Sequence, residues 1–134
     1  MRPNKIKQMW KANQCVTLGW LSVAHGFSAE VMARQGFDAL CVDLQHGTAE
    51  MRDVAPMLQA ISQTDTVPVV RVAWNEPAAI MKALDLGAYG IIVPLVNTAE
   101  EAARAVSREG VASVVFAATA ISRITPCRRR SSGT

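Results

Sequence analysis

Three polar side chains near the middle of the sequence could together remove a proton from a bound anion. Asp43 and His46 lie three residues apart in the segment DLQHG, and Arg71 lies within VVRVAWNEP. Histidine is the usual general base near neutral pH, and the planar guanidinium of an arginine can hold a carboxylate at two points. At neighbouring strand ends, His46 and Arg71 would suit proton abstraction from a substrate anchored by its carboxylate.

Each of these residues also has an ordinary structural explanation. A histidine that follows a strand often only shapes a loop, and Arg71 could equally be the ion-pair partner of Asp43. Asp85 stands at the end of a predicted helix, where the helix dipole disfavours an acid. It could be an exposed carboxylate without a role, or it could be held by a histidine whose tautomer and basicity it sets. The residue types alone leave these alternatives open.

The elements that must position these residues alternate between short apolar runs and helical stretches. The runs are apolar on successive residues, as expected for strands that are covered on both faces of a parallel sheet. They span residues 16–23, 39–43, 67–72 and 90–96. Helices are predicted between them, with Ser28, Asn75 and Thr98 as their N-caps.

This alternation predicts four consecutive β/α units. A doubly wound sheet would usually carry a glycine-rich phosphate turn after its first strand, and neither GxGxxG nor GxxxxGK[ST] is present. A (β/α)₈ barrel needs about twice this length. The sequence therefore predicts an α/β protein with a parallel sheet, equivalent to about the first four units of a TIM-type barrel.

Composition and charge exclude several classes of protein. No apolar run approaches the roughly 20 residues that a membrane span needs, and the polar start lacks the apolar region of a signal peptide. The net charge of +3 comes from the arginine-rich residues after position 107. A nucleic-acid binder would be expected to carry a basic stripe on its folded face. We therefore predict a cytoplasmic protein that binds neither membrane nor nucleic acid.

Three longer blocks of sequence resemble a known family. GFDALCVDLQHG, VPVVRVAWNEP and IMKALDLGAYGIIVPLVNTAEEAARAV are similar, in order and in spacing, to consecutive blocks of the HpcH/HpaI aldolase/citrate lyase family. The resemblance runs from about Gly19 to Ser107. It implies a (β/α)₈ barrel that acts as a class II aldolase, a carbon–carbon lyase that reversibly cleaves 4-hydroxy-2-oxo acids to pyruvate and an aldehyde.

The resemblance also assigns roles to individual residues. His46 falls on the family's proton acceptor, and Arg71 falls on the arginine that stabilises the transition state and contacts substrate. Asp85 falls on the aspartate that raises the basicity of that histidine. Asp43 is expected to help shape the site and to take part in substrate binding. His25 matches no functional position and is expected to serve its loop.

The resemblance stops before the metal ligands of the family. There, a Glu and an Asp from later strands bind a divalent metal, for which hard oxygen ligands suggest Mg, Mn or Co. Neither ligand has a counterpart here, so this chain alone is expected to bind no metal and to be inactive. Residues 1–107 are expected to form the N-terminal half of an aldolase barrel. Residues 108–134 are expected to be a frameshifted or truncated tail outside the family pattern, and largely disordered, although whether the apolar run 111–121 forms a strand or a helix stays open.

The full-length protein is expected to act on a small 2-oxo acid, with pyruvate and an aldehyde as products, and to form a hexamer-like homo-oligomer. Two other interpretations stay open. The chain could represent an acyl-CoA lyase of the malyl-CoA or citrate lyase type, although DLQHG and RVAWNEP favour the oxo-acid aldolase. It could also be a non-catalytic remnant or interaction protein that keeps part of the barrel.

Overall fold

The computed structural model describes residues 3–106 and 114–118. Its strands form one sheet in the order β1-β2-β3-β4-β5. They are β1 Leu18–Leu21, β2 Ala39–Asp43, β3 Val67–Arg71, β4 Gly90–Pro94 and β5 Val114–Ala118. The helices are α1 Lys5–Lys11, α2 Gly26–Ala33, α3 Met51–Ser62, α4 Pro77–Asp85 and α5 Ala99–Val106. Each strand pairs in parallel with the next one along the chain.

The four predicted strands are confirmed, and their alternation with helices agrees with part of a TIM-type barrel. The structure adds the strand β5, which pairs with β4 from Gly90 opposite Val114 to Pro94 opposite Ala118. The sequence leaves open whether residues 111–121 form a strand or a helix, and the structure shows a strand at Val114–Ala118. The segment VVFAA is rich in β-branched and aromatic residues, which favour strands, and β4 offers it a parallel edge. The rest of the predicted tail lies outside the described residues.

The start of α5 follows the predicted capping chemistry. The backbone N–H of Glu101 donates to Thr98 Oγ1 at 3.1 Å. In return, the Glu101 carboxylate accepts from the backbone N–H groups of Asn97 and Thr98, at 2.7 and 3.2 Å. This reciprocal arrangement satisfies N–H groups that the helix itself leaves unpaired. The prediction of Thr98 as N-cap is confirmed.

Two other predicted caps are wrong, because their side chains bond elsewhere. Helix α2 is capped by His25, whose Nδ1 accepts from the backbone N–H of Phe27 at 3.2 Å, while Ser28 Oγ donates to the His25 carbonyl at 2.7 Å. Helix α4 has Glu76 at its N-cap position, and the Asn75 side chain donates to a backbone carbonyl of α5 instead. The expected loop role of His25 therefore takes the form of a helix cap.

Apolar side chains cover both faces of the sheet. The outer face packs against α2, α3 and α4, through residues that include Leu40, Val42, Val70, Ile91 and Val93. The inner face is smaller and packs against Ile6 of α1, through Ala39, Cys41, Val67, Val69 and Ile92. Successive strand residues point to opposite faces. At the carboxyl ends of the strands, the inner series therefore continues with Trp20, Asp43, Arg71 and Pro94.

No helix in the part of the chain that the structure describes is long and apolar enough to cross a membrane.

The surface around β1 and α2 exposes apolar side chains. Within residues 3–106 and 114–118, β1 has a neighbour on one side only, which is β2. Beside it, Trp20 and Val31 are each 44% exposed, Val23 is 63% exposed and Phe27 is 68% exposed. An unpaired strand edge next to an apolar patch is a site of association.

We therefore expect the chain to self-associate through this surface. Size-exclusion chromatography with light scattering should give a mass above the 14.4 kDa of one chain. Phe27→Glu should lower that mass, because it places a charge in the apolar surface. The helix itself should tolerate the change, since the dipole favours an acid at the start of α2. Met81→Glu, at an apolar residue of α4 that is 55% exposed, is the control and should not. A monodisperse wild-type monomer that melts cooperatively would contradict this expectation.

Candidate active site

Arg71 and Asp43 form an ion pair at the carboxyl end of the inner face. They lie opposite each other in the register of β2 and β3. Arg71 Nε donates to Asp43 Oδ1 at 2.8 Å, and Nη2 donates to Oδ2 at 2.6 Å. The Asp43 side chain is 4% exposed and that of Arg71 is 19% exposed. The structure therefore confirms the alternative in which Arg71 is the ion-pair partner of Asp43.

The Asp43 carboxylate also organises the loop that follows β2. Its Oδ1 accepts from the backbone N–H groups of Gln45 and His46, at 3.0 and 3.3 Å. Burial alone would raise the pKa of Asp43, but the hydrogen bonds from Arg71 and from these two N–H groups outweigh it and hold the pKa below its ordinary value. Asp43 is thus an anion at neutral pH whose oxygens already have protein donors. Its contacts are those of a residue that positions Arg71 and the loop.

Arg71 presents only one edge to a ligand. Its Nε–Nη2 edge is occupied by Asp43, and this bonding raises the pKa of Arg71 further. One face of the guanidinium lies over the indole of Trp20, with 4.4 Å between Cζ and the ring centroid. Nη1 makes no hydrogen bond to any residue among those the structure describes. The group can therefore offer its Nη1–Nη2 edge to an anion or to a polarised oxygen.

His46 lies beside this pair on the loop between β2 and α3. Its backbone is fixed by Asp43, while its side chain is exposed. The imidazole makes no hydrogen bond to a residue within 3–106. A side chain that is anchored through its backbone and has both ring nitrogens available can accept a proton from a ligand.

Gly47 allows the His46 loop to pack against the end of β1. A Cβ atom at this position would lie 2.7 Å from the Asp43 carbonyl oxygen and 3.0 Å from that of Ser22. The backbone N–H of Thr48 donates to the same Ser22 carbonyl at 2.8 Å. Only a residue without a side chain fits between these two backbone segments. The signal in the sequence is the glycine that directly follows the histidine in DLQHG.

Asp85 is not brought to this site within one chain. Helix α4 begins beyond the carboxyl end of β3 and ends at Asp85, after which a turn at Gly87, with φ +106°, leads to the amino end of β4. Nine helical residues span about 13 Å. Asp85 and His46 therefore lie at opposite ends of the sheet, and Asp85 is exposed. Its predicted role stays a prediction.

Trp20 and Cys41 are the residues of the site that the sequence did not single out. They are opposite each other in the register of β1 and β2. Burial raises the pKa of the Cys41 thiol to about 12, and the nearby Asp43 carboxylate acts in the same direction. Cys41 is therefore an uncharged part of the floor beneath Asp43 and Arg71 and not a nucleophile. The sequence carries no signal that distinguishes Trp20 from a core residue of its strand.

The residues that the structure describes do not bring together a set of metal ligands. No group of three or more His, Cys, Asp and Glu side chains in the described part of the chain could hold a metal ion. The carboxylate closest to the reaction site, Asp43, is committed to Arg71 and to backbone N–H groups. Ligands for a divalent ion would have to come from other residues.

The ion pair leads to a stability prediction with an internal control. Asp43→Asn leaves the mostly buried Arg71 cation without its counter-charge and should lower the free energy of unfolding by about 3 kcal/mol. Asp85→Asn removes an exposed carboxylate that has no partner among the described residues and should change it by less than about 0.5 kcal/mol. Urea unfolding at matched protein concentration measures both; equal effects would contradict the assignment.

The same pair fixes the sign of a pH effect. Because its pKa is lower in the folded chain, Asp43 contributes stability that is fully present above the unfolded carboxyl pKa of about 3.9 and is lost as the pH falls through the folded value. Asp43→Asn should flatten this part of the acid unfolding curve, and Asp85→Asn should not.

The packing of Gly47 predicts a second pair of effects. Gly47→Ala must displace one of two backbone carbonyls and should cost about 1–3 kcal/mol of stability, as overpacking does. Gly26→Ala is the control, because a Cβ atom there would lie 3.6 Å from its nearest neighbour, in ordinary contact. Urea unfolding should separate the two variants. A neutral Gly47→Ala would show that the two loops are not packed as described.

Comparison with known proteins places this geometry in a family. Residues 17–112, which include every site residue discussed above, match the HpcH/HpaI aldolase/citrate lyase family. Hydroxypyruvate/pyruvate aldolase of Rhizorhabdus wittichii is 44% identical over 99 residues, which cover 74% of this chain and 39% of that protein. 4-Hydroxy-2-oxo-heptane-1,7-dioate aldolase of Salmonella dublin is 39% identical over 104 residues, which cover 78% of this chain and 40% of that protein.

A solved structure gives the same result. The crystal structure of an aldolase/citrate lyase family protein from Burkholderia cenocepacia matches with a TM-score of 0.74 and 37% identity, over 78% of this chain and 42% of that one. The chain spans about two fifths of the length of the curated relatives it matches. The sequence match and the parallel sheet agree with each other, and the chain belongs to the HpcH/HpaI aldolase/citrate lyase family.

Proposed function

We propose that this chain is the N-terminal part of a class II aldolase that cleaves 4-hydroxy-2-oxo acids to pyruvate and an aldehyde. The observation that supports the proposal most is the arrangement of Asp43, Arg71 and His46, in which a cation with one open edge lies beside an imidazole that has no hydrogen-bond partner among the described residues. The names of two relatives, a hydroxypyruvate/pyruvate aldolase and a 4-hydroxy-2-oxo-heptane-1,7-dioate aldolase, support the substrate class.

In this proposal His46 removes the proton of the substrate's 4-hydroxyl group. The oxygen then forms the carbonyl of the aldehyde, the bond between C3 and C4 breaks, and its electron pair remains on the pyruvate fragment as an enolate. Arg71 donates hydrogen bonds from its Nη1–Nη2 edge to a substrate oxygen that gains negative charge. Asp43 acts indirectly, because it holds Arg71 and the loop of His46 in place.

Class II chemistry uses a divalent metal such as Mg, Mn or Co, and the part of the chain in residues 3–106 lacks a donor set that would hold one. The proposal therefore assigns the metal ligands to other residues of a full-length protein. For the 134-residue chain alone, it implies no appreciable cleavage. The partners of the full-length protein would be small molecules in the cytoplasm.

Asp85 fits the proposal only if it comes from a second copy of the chain, because α4 carries it to the opposite end of the sheet from His46. The homo-oligomer that we expect for the full-length protein would allow this. Mixing full-length chains that carry His46→Asn with full-length chains that carry Asp85→Asn would then restore activity in mixed oligomers, since some sites would receive both intact residues.

An acyl-CoA lyase is the second candidate, because the matched family includes citrate lyase. The segments DLQHG and RVAWNEP, which hold His46 and Arg71, favour the oxo-acid aldolase over it. Cleavage of malyl-CoA, measured beside cleavage of a 4-hydroxy-2-oxo acid, distinguishes the two. A non-catalytic partial barrel would cleave neither.

A chimera provides the test. Residues 1–106 are joined to the segment that follows the matched region in the Salmonella dublin aldolase, and pyruvate release from 4-hydroxy-2-oxo-heptane-1,7-dioate is followed in a coupled assay with added divalent metal. We expect turnover, and His46→Asn should lower kcat by about 10²–10⁴-fold, the range for loss of a general base.

The matched control is His25→Asn, which replaces a second exposed histidine and keeps a side-chain acceptor for the cap of α2. It should change kcat by less than about twofold, because a cap contributes to helix stability and not to proton transfer. A folded chimera that binds metal and releases no pyruvate would overturn the proposal. Turnover at an ordinary enzymic rate by the 134-residue chain alone would overturn the assignment of essential ligands to other residues.

A further inference from the structure

We propose that Trp20 is a positioning residue for Arg71 and that its indole holds the guanidinium in the plane in which the Nη1–Nη2 edge meets a substrate oxygen. The contact that motivates this is the stacking of Arg71 on Trp20, at 4.4 Å from Cζ to the ring centroid. The identity of the ligand, a 2-oxo carboxylate, rests on the proposed function. The positioning role itself does not.

The side chain of Arg71 reaches across the sheet to make this contact. Trp20 is on β1 and Arg71 is on β3, with β2 between them. Asp43 lies on β2 opposite Arg71, and Trp20 lies opposite Cys41, two residues before Asp43. Three adjacent strands therefore each supply one member of the group: an aromatic face, a carboxylate and the cation between them.

The two contacts of the guanidinium restrain different motions. The paired hydrogen bonds to Asp43 fix one edge of the group within its plane. They leave the opposite edge able to tilt about the Nε–Nη2 edge, because hydrogen bonds are tolerant of small out-of-plane rotations. Stacking on an aromatic ring opposes this tilt, since the attraction depends on the cation staying over the ring face. Trp20 therefore restrains the one direction in which Asp43 leaves Arg71 free.

The edge that is restrained is also the one that remains for a ligand. Nη1 makes no hydrogen bond within residues 3–106, and Trp20 is 44% exposed next to it. Catalytic groups that are misplaced by about 1 Å can lose about 10²-fold in rate. A planar support beneath a planar cation is a direct way to prevent such a displacement.

A simple packing role for Trp20 makes a different prediction. Attraction to a cation falls from tryptophan to phenylalanine and is absent for leucine. If the indole only fills space, Trp20→Leu and Trp20→Phe should have similar effects on Arg71. If it supports the guanidinium, phenylalanine should retain much of the effect and leucine little. The order of the variants, and not the size of one effect, therefore decides between the roles.

The experiment follows the Nε–H resonance of Arg71 by NMR in the 134-residue chain, assigned with Arg71→Lys, during titration with pyruvate. In the wild type we expect a ring-current shift of this resonance and a further shift on titration. Trp20→Leu should abolish the ring-current shift and raise the dissociation constant for pyruvate at least fivefold. Trp20→Phe should raise this dissociation constant less than twofold. The control, Trp74→Leu, replaces a tryptophan that is 61% exposed and should also change it less than twofold.

In the chimera the same series is measured by kinetics. Trp20→Leu should lower kcat/KM at least tenfold without changing its pH profile, because His46 is untouched, and Trp20→Phe should recover most of the loss. Equal effects of leucine and phenylalanine, or an unchanged Arg71 resonance in Trp20→Leu, would overturn the proposal. If the NMR series behaves as expected while the chimera cleaves no oxo acid, the proposed function fails and the role of Trp20 stands.

Discussion

The pairing of Asp43 with Arg71 is the interaction on which the rest of the site depends. One carboxylate receives four hydrogen bonds, two from the guanidinium and two from the backbone of the loop that follows β2. Since the same group holds the cation and shapes the histidine loop, the relative positions of Arg71 and His46 are fixed through a single buried anion. A change at Asp43 would therefore alter both residues at once.

The rest of the fold places this anion where it is needed. Parallel pairing of β2 and β3 sets Asp43 opposite Arg71, and the inner face beneath them is made of small or apolar side chains such as Cys41 and Val69. Gly47 lets the loop approach β1 closely, and Thr48 bonds to the end of that strand. The exposed imidazole of His46 is thus carried by a loop that is tied to two strands.

Much of the fold could be predicted from the sequence, because buried parallel strands appear as continuous apolar runs, and β2 was predicted at its observed bounds. The partnership of Arg71 with Asp43 was foreseen as an alternative and is what the structure shows. Helix caps were less predictable. Ser28 and Asn75 have side chains suited to capping, yet both side chains donate to nearby backbone carbonyl groups instead. Trp20 was missed since a tryptophan in an apolar strand cannot be told from a core residue by pattern alone.

The alternation of side chains along β2 has a consequence for how this site tolerates change in length. Ala39, Cys41 and Asp43 face inward, while Leu40 and Val42 face the helices. Loss or gain of one residue within the strand would turn Asp43 into the helix layer and bring an aliphatic side chain to Arg71, so the chemistry would disappear while the strand kept its hydrophobicity. A change of two residues would preserve the facing and move the carboxylate along the strand by about 7 Å. A change of one residue in the length of β2 would therefore abolish the site even if every surrounding side chain were retained.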